Sequence, residues 1–159
     1  MWTVIDSPVG ELRIVAQAGA LTAIEFPPYV VGTGRPLGER ADADPVLLEA
    51  TRQLTAYFDG VLEVFDLPLA PVGTEFQQRV WKALLEVGFG QTATYADIAR
   101  RLGMTAAASR AVGLANGRNP IPIVIGCHRI IGADGSLTGY AGGLERKQAL
   151  LALESNSLF

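Results

Sequence analysis

Residues 94–118 read TYADIARRLGMTAAASRAVGLANGR, and this stretch decides the fold of the chain around it. Tyr95, Ile98, Ala99 and Leu102 recur at the i, i+3, i+4, i+7 spacing of an amphipathic helix that starts near Thr94. Gly103 supplies a turn, and a second helix follows with Ala108, Ala111, Val112 and Ala115 on its buried face. Two short helices joined by a glycine turn have the form of a helix-turn-helix. Any two packed helices share that pattern, so the charges have to weigh in. Arg110 and Arg118 lie on or just after the second helix with no acid nearby.

Upstream, Thr74-Glu75-Phe76-Gln77 fits a capping box with Thr74 as N-cap. Phe76, Val80, Trp81, Leu84 and Leu85 continue it as a helical stripe, which Gly88 and Gly90 end. Downstream, Asn119-Pro120-Ile121-Pro122 breaks the helix, and Ile123-Val124-Ile125 reads as a short buried strand leading into Gly126-Cys127-His128-Arg129. Five glycines between Gly132 and Gly143 mark a loop whose backbone can approach a ligand closely. Leu144 to Leu153 reads as a final helix, with Leu144, Ala149, Leu150 and Leu153 as core contacts and Glu154 near its end.

The N-terminal part has a different character. Thr3–Ile5, Leu12–Ala16 and Leu21–Phe26 are short, apolar and rich in β-branched residues, with turns at Ser7-Pro8-Val9-Gly10 and Ala18-Gly19. Pro27-Pro28 ends this meander, and a surface loop runs to Gly38. Asp44-Pro45 then reads as an N-cap with proline at the first helical position. Leu47, Leu54, Tyr57 and Phe58 give that helix an apolar face, and Gly60 stops it. The Pro- and Gly-containing stretch from Asp66 to Gly73 is the linker, which divides the chain into domains 1–70 and 71–159.

Across its 159 residues the chain is 49% hydrophobic and 18% charged, enough apolar material for a folded core. A net charge of −3 argues against a nucleic-acid partner until it is divided along the chain. Residues 1–73 hold four basic side chains against ten acids, whereas residues 74–159 hold nine against six. From Arg100 to Arg129 there are five arginines and no acid. One cysteine excludes an internal disulfide and a zinc site of several thiolates. The N-terminus lacks a signal-peptide pattern, and no run approaches the length of a membrane helix. A cytoplasmic protein with a free thiol, without membrane association, is the expectation.

That sole cysteine, Cys127, adjoins the sole histidine, His128. The pair reads in two ways. It is either a buried structural thiol beside a histidine bonded to backbone, or a thiolate nucleophile activated by an imidazole. Two ligands alone do not complete a tetrahedral metal shell. The nucleophilic reading needs a turn at Gly126-Cys127 or an intervening water, because adjacent strand side chains point to opposite faces. It also needs an acid to orient the imidazole.

A resemblance narrows the choice. Phe76-Gln77-Gln78-Arg79-Val80-Trp81, Arg110-Ala111-Val112-Gly113, Asn119-Pro120, Cys127-His128-Arg129, Gly139-Tyr140-Ala141-Gly142-Gly143 and Lys147 through Glu154 occur in order. As a set they resemble the O6-alkylguanine-DNA alkyltransferases, densely in the C-terminal half and mainly in layout before it. The resemblance implies an α+β fold. A small β-meander plus helix, ribonuclease H-like, would be packed on a mostly helical domain carrying the helix-turn-helix and an active-site loop.

It implies a single-turnover methylated-DNA–protein-cysteine methyltransferase that repairs O6-alkylguanine, and O4-alkylthymine, without metal or cofactor. The partner is double-stranded DNA entered from the minor groove, and the protein is a monomer. The damaged base flips out of the stack. Cys127 takes its alkyl group, His128 removes the thiol proton through a water, and Glu154 holds and charges His128. Asn119 orders the relay, and Tyr95 hydrogen-bonds the flipped base. Backbone groups at Cys127, Ile130 and Ala141 read the base edge, and Tyr140 belongs to the same pocket. Arg110 fills the gap left in the duplex. Ala111 and Gly113 let the helix approach DNA closely, and Arg118 and Arg129 add contacts there. Gly126 and Gly88 stand where the family usually has proline, and the stretch from Gly103 to Arg110 is one residue longer than usual. A lesion-binding relative without transfer chemistry, or a helix-turn-helix regulator, are the alternatives. Cys127 counts against the first, and retention of the whole Cys127, His128, Asn119 and Glu154 set counts against the second.

Overall fold

The computed structural model describes residues 1–29 and 37–156 and divides the α+β chain into two compact units, Met1–Pro71 and Val72–Phe159. In the first unit, β1 (Trp2–Ile5), β2 (Leu12–Gln17) and β3 (Ala20–Glu25) form an antiparallel meander in the order β1-β2-β3. Its register pairs Thr3 with Ile14 and Ile14 with Ile24. Leu12, Ile14, Leu21 and Ile24 from this sheet, with Leu47, Leu54 and Tyr57 from α1 (Pro45–Phe58), are buried. The Asp44 side chain accepts from the Leu47 amide, and Pro45 at the helix start forfeits a donor that has no partner there in any case. The buried Gln53 carboxamide holds both backbone groups of Asp66, at 2.9 and 3.0 Å, so the segment after α1 is pinned to it. The surface loop expected from Pro27 to Gly38 falls mostly outside the described residues.

The second unit is mainly helical. It runs through α2 (Glu75–Leu84), the two-residue strand β4 (Ala93–Thr94), α3 (Tyr95–Arg101) and α4 (Ser109–Gly117). It continues through β5 (Ile130–Ile131) to α5 (Leu144–Asn156). Thr74 and Thr94 each cap their helix with a reciprocal box, the first with Gln77 and the second with Asp97. Trp81 anchors α2 to α4 through a 2.8 Å hydrogen bond from its indole N–H to the Ala115 carbonyl. Between α3 and α4, a turn at Gly103 (φ +74°) and a 3-10 turn at Ala106–Ala108 make the connection. The positive φ suits glycine, which lacks the Cβ that would clash there.

Three expectations are corrected. Ile123–Ile125 is buried but forms a turn rather than a strand. Asn119 closes that turn from both sides, accepting from the Ile121 amide at 3.0 Å and donating to the Ile125 carbonyl at 2.8 Å. Two prolines without amide protons, Pro120 and Pro122, disfavour ladder pairing there. Second, of the face expected for α4, Val112 and Ala115 are buried, whereas Ala111 is exposed, Ala108 falls in the preceding 3-10 turn, and Asn116 completes the buried set. Third, Leu144 and Ala149 face solvent, and the buried line of α5 is Lys147, Leu150 and Glu154.

Candidate active site

The parallel pairing of β4 with β5 sets Ala93 opposite Ile130 and Thr94 opposite Ile131. This joins the start of α3, where Tyr95 stands, to the residues that follow Cys127-His128-Arg129. Those three form a 3-10 turn and are all buried. The turn takes the place of the extended strand end and relieves its alternation of side chains.

Cys127 is 4% exposed. Burial pushes its thiol up to about 11, while hydrogen bonds from the Asn119 and Tyr140 side chains and the nearby Lys147 charge pull it down. The thiol is therefore protonated at neutral pH and needs a partner to take its proton. His128 lies directly beside it in sequence. Its Nε2 is 2.7 Å from Glu154 Oε2, and its Nδ1 has no protein hydrogen-bond partner among the described residues. Burial lowers the imidazole below its ordinary value, and Glu154 opposes that shift. Glu154 also takes Arg129 in a two-pronged pair, Nε to Oε1 at 2.9 Å and Nη2 to Oε2 at 3.0 Å, and accepts from the Gly90 amide at 3.2 Å.

Arg129 was expected at the DNA contact. It is instead buried, held by Glu154 and by the Val87 carbonyl at 2.8 Å. Its side chain folds back over Gly126, where a Cβ would meet Arg129 Cδ at 3.0 Å and Nη1 at 3.1 Å. The missing side chain at Gly126 thus makes room for the guanidinium.

A cavity of about 670 Å³ opens beside this network. Tyr95, Arg110, Gly113, Arg118, Tyr140 and Ala141 are among its walls. Cys127 is not a wall residue, and Tyr140 links the cavity to the thiol. Gly113 faces the Tyr95 ring, where an added Cβ would lie 3.6 Å from it, and Arg110, Ala111 and Arg118 are exposed along α4 and its end. The Ile130 carbonyl is a 2.6 Å acceptor for Lys147 Nζ, so one of its lone pairs is already engaged.

Sequence reasoning missed the parts played by Lys147, Asn116 and Thr138. Lys147 is fully buried and also donates to the Thr138 carbonyl at 3.2 Å. Asn116 donates to the Cys127 carbonyl at 3.4 Å. Thr138 Oγ1 hydrogen-bonds Tyr95 Oη. A signal for Lys147 was present: Lys147, Leu150 and Glu154 follow the spacing of a buried helix stripe. Among the described residues no group of three or more His, Cys, Asp or Glu side chains is arranged to hold a metal ion. No helix among them is long and apolar enough to cross a membrane.

Residues 1–71 match the family described as the ribonuclease-like domain of 6-O-methylguanine DNA methyltransferase, and residues 75–156 match its DNA binding domain. The chain is 48% identical to a methylated-DNA–protein-cysteine methyltransferase of Methanosarcina barkeri over 157 residues, covering 99% of this chain and 98% of the relative. The fold is similar to the crystal structure of Mycobacterium tuberculosis O6-methylguanine methyltransferase, with a TM-score of 0.87 at 45% identity, covering 99% of this chain and 94% of that one. It is also similar to a structure of the Mycobacterium tuberculosis protein in complex with DNA, with a TM-score of 0.84 at 45% identity, covering 98% and 93%.

Proposed function

The chain belongs to the 6-O-methylguanine DNA methyltransferase family, and we propose that Cys127 is the acceptor in its direct-reversal repair of alkylated DNA. The substrate is O6-alkylguanine in duplex DNA, with O4-alkylthymine as a second substrate. The observation that carries this reading is the buried Glu154–His128 pair, 2.7 Å apart, set beside the chain's one thiol.

The reaction is one displacement. Cys127 Sγ forms a bond to the alkyl carbon as the bond from that carbon to O6 breaks. O6 keeps the electron pair of the broken bond. The thiol proton passes through a water to His128, whose Nδ1 is free of protein partners among the described residues. Glu154 stabilises the imidazolium that results. A hydrogen bond from Tyr95 to the base disperses the charge left on it, and the base becomes neutral guanine by taking one proton from water while His128 returns the thiol's proton to water. The thioether persists, so each molecule acts once. No step draws on a metal or cofactor.

Arg110, Ala111, Gly113 and Arg118 form the DNA contact of a monomer, with α4 in the minor groove and the base flipped toward the cavity. Arg129 has no part in that contact and serves the relay through Glu154.

The test uses duplex DNA bearing O6-methylguanine, intact-mass measurement and peptide mapping. The expected result is one methyl group per protein at Cys127, absent in Cys127→Ser. Tight lesion binding with no mass gain, or methyl found elsewhere, overturns the reading.

A further inference from the structure

The geometry points to Thr138 as a positioning residue for alkyl transfer, acting through the Tyr95 hydroxyl. This rests on the reading of Tyr95 as a contact to the flipped base.

Thr138 is held at two ends. Its carbonyl accepts from the buried Lys147 Nζ at 3.2 Å, and the same ammonium holds the Ile130 carbonyl at 2.6 Å. The backbone at Thr138 is thereby tied to the strand that follows the nucleophile. Its side-chain oxygen meets the Tyr95 hydroxyl, and both residues line the same cavity.

Proton counting sets the direction of that bond. Each hydroxyl carries one proton and can accept as well. If Tyr95 donates to Thr138, it turns only lone pairs toward the cavity. If Thr138 donates to Tyr95, the phenolic proton is released to the cavity. The O6 and N3 atoms of a guanine alkylated at O6 are acceptors, so a bound base selects the second arrangement. The chain then runs from Thr138 to Tyr95 to the base. Hydrogen bonds in such a chain strengthen one another as charge gathers at the accepting end. That charge gathers during transfer, so the effect falls on the rate of the chemical step more than on binding.

Single-turnover transfer from duplex O6-methylguanine, measured against DNA concentration, tests this. The set is the wild type, Thr138→Val, Thr138→Ser, Tyr95→Phe and the Thr138→Val/Tyr95→Phe double variant. Thr138→Val is expected to lower the saturating rate about tenfold, with the half-saturating DNA concentration nearly unchanged. Thr138→Ser keeps the hydroxyl and is expected within about threefold of wild type. On the Tyr95→Phe background, Thr138→Val is expected to add less than about twofold.

Equal loss from Thr138→Val with and without the Tyr95 hydroxyl assigns Thr138 to loop anchoring and overturns the inference. So does a Thr138→Val rate equal to wild type, or a serine variant as slow as the valine one. Transfer at Cys127 that is unaffected by Tyr95→Phe removes the role of Tyr95 and this inference while leaving Cys127 as acceptor. Absence of transfer in the wild type overturns the underlying reading itself. Thermal melts of each variant separate misfolding from slow chemistry, and Thr138→Ala, which also lacks the hydroxyl, takes the place of the valine variant in both backgrounds if valine does not fold.

Discussion

Cys127 is a weak acid in a dry place, and that has a measurable cost at high pH. Burial pushes its thiol from 9.0 to about 11. Between those values the unfolded chain has lost the proton and the folded chain keeps it, so unfolding releases a proton. Stability is therefore intact below about 9 and falls as pH rises through the folded value, by up to about 3 kcal/mol in all. Urea unfolding from pH 8 to 11 is expected to show this loss in the wild type, with a shallower decline in Cys127→Ser. Parallel curves for the two proteins contradict it. The same residue shows how the site reads from sequence. The Cys127-His128 adjacency was legible, as was Glu154 near the end of its helix. Arg129 was misplaced because its charge looks outward in sequence, and its inward partners, Glu154 and the Val87 carbonyl, lie 25 and 42 residues away.

At the level of elements, the helices were legible, but the buried polar face of α5 was not. Thr74 and Thr94 announce their helices through local chemistry, which a short stretch of sequence contains in full. Removing one such cap has a bounded effect. Thr94→Ala deletes the acceptor for the Asp97 amide at the start of α3, and a loss of about 1 kcal/mol is expected in chemical denaturation. Because Tyr95 is the next residue, single-turnover transfer should slow as well. A variant as stable as wild type would show that β4 alone fixes this corner. In α5 the reading failed for a different reason. Hydrophobic periodicity assumes that buried means apolar, and this helix buries Lys147 and Glu154 with Leu150 between them. Each charge is satisfied by partners 9 to 64 residues away in sequence, which no local pattern reveals. The turn at 121–125 escaped for a different, local reason: an apolar run reads as a strand, whereas Asn119 closes it with bonds two and six residues on that compete with strand pairing.

Over the whole molecule, charge and function divide along the chain. The excess acid belongs to residues 1–73, and residues 74–159, which lie within the second unit, carry a net positive charge. Affinity for duplex DNA is expected to fall as salt is added, because bound phosphates release counterions. Under the proposed scheme Arg118, exposed just beyond α4, is one cation of that contact. Arg118→Ala should weaken binding to damaged and undamaged duplex alike, and reduce the slope of log affinity against log salt by about 0.9. An unchanged slope in a fluorescence-anisotropy titration would remove Arg118 from the contact.

The position of Glu154 in the last turn of α5 has a dynamic consequence. The end of a helix is ordinarily where a protein opens most readily. Here that turn is fastened to His128, Arg129 and Gly90. Under the proposed scheme, the turn cannot fray without taking the carboxylate away from the imidazole. The order of a few terminal backbone amides and the readiness of the thiol are then a single equilibrium, and each excursion of the helix end briefly disarms the protein.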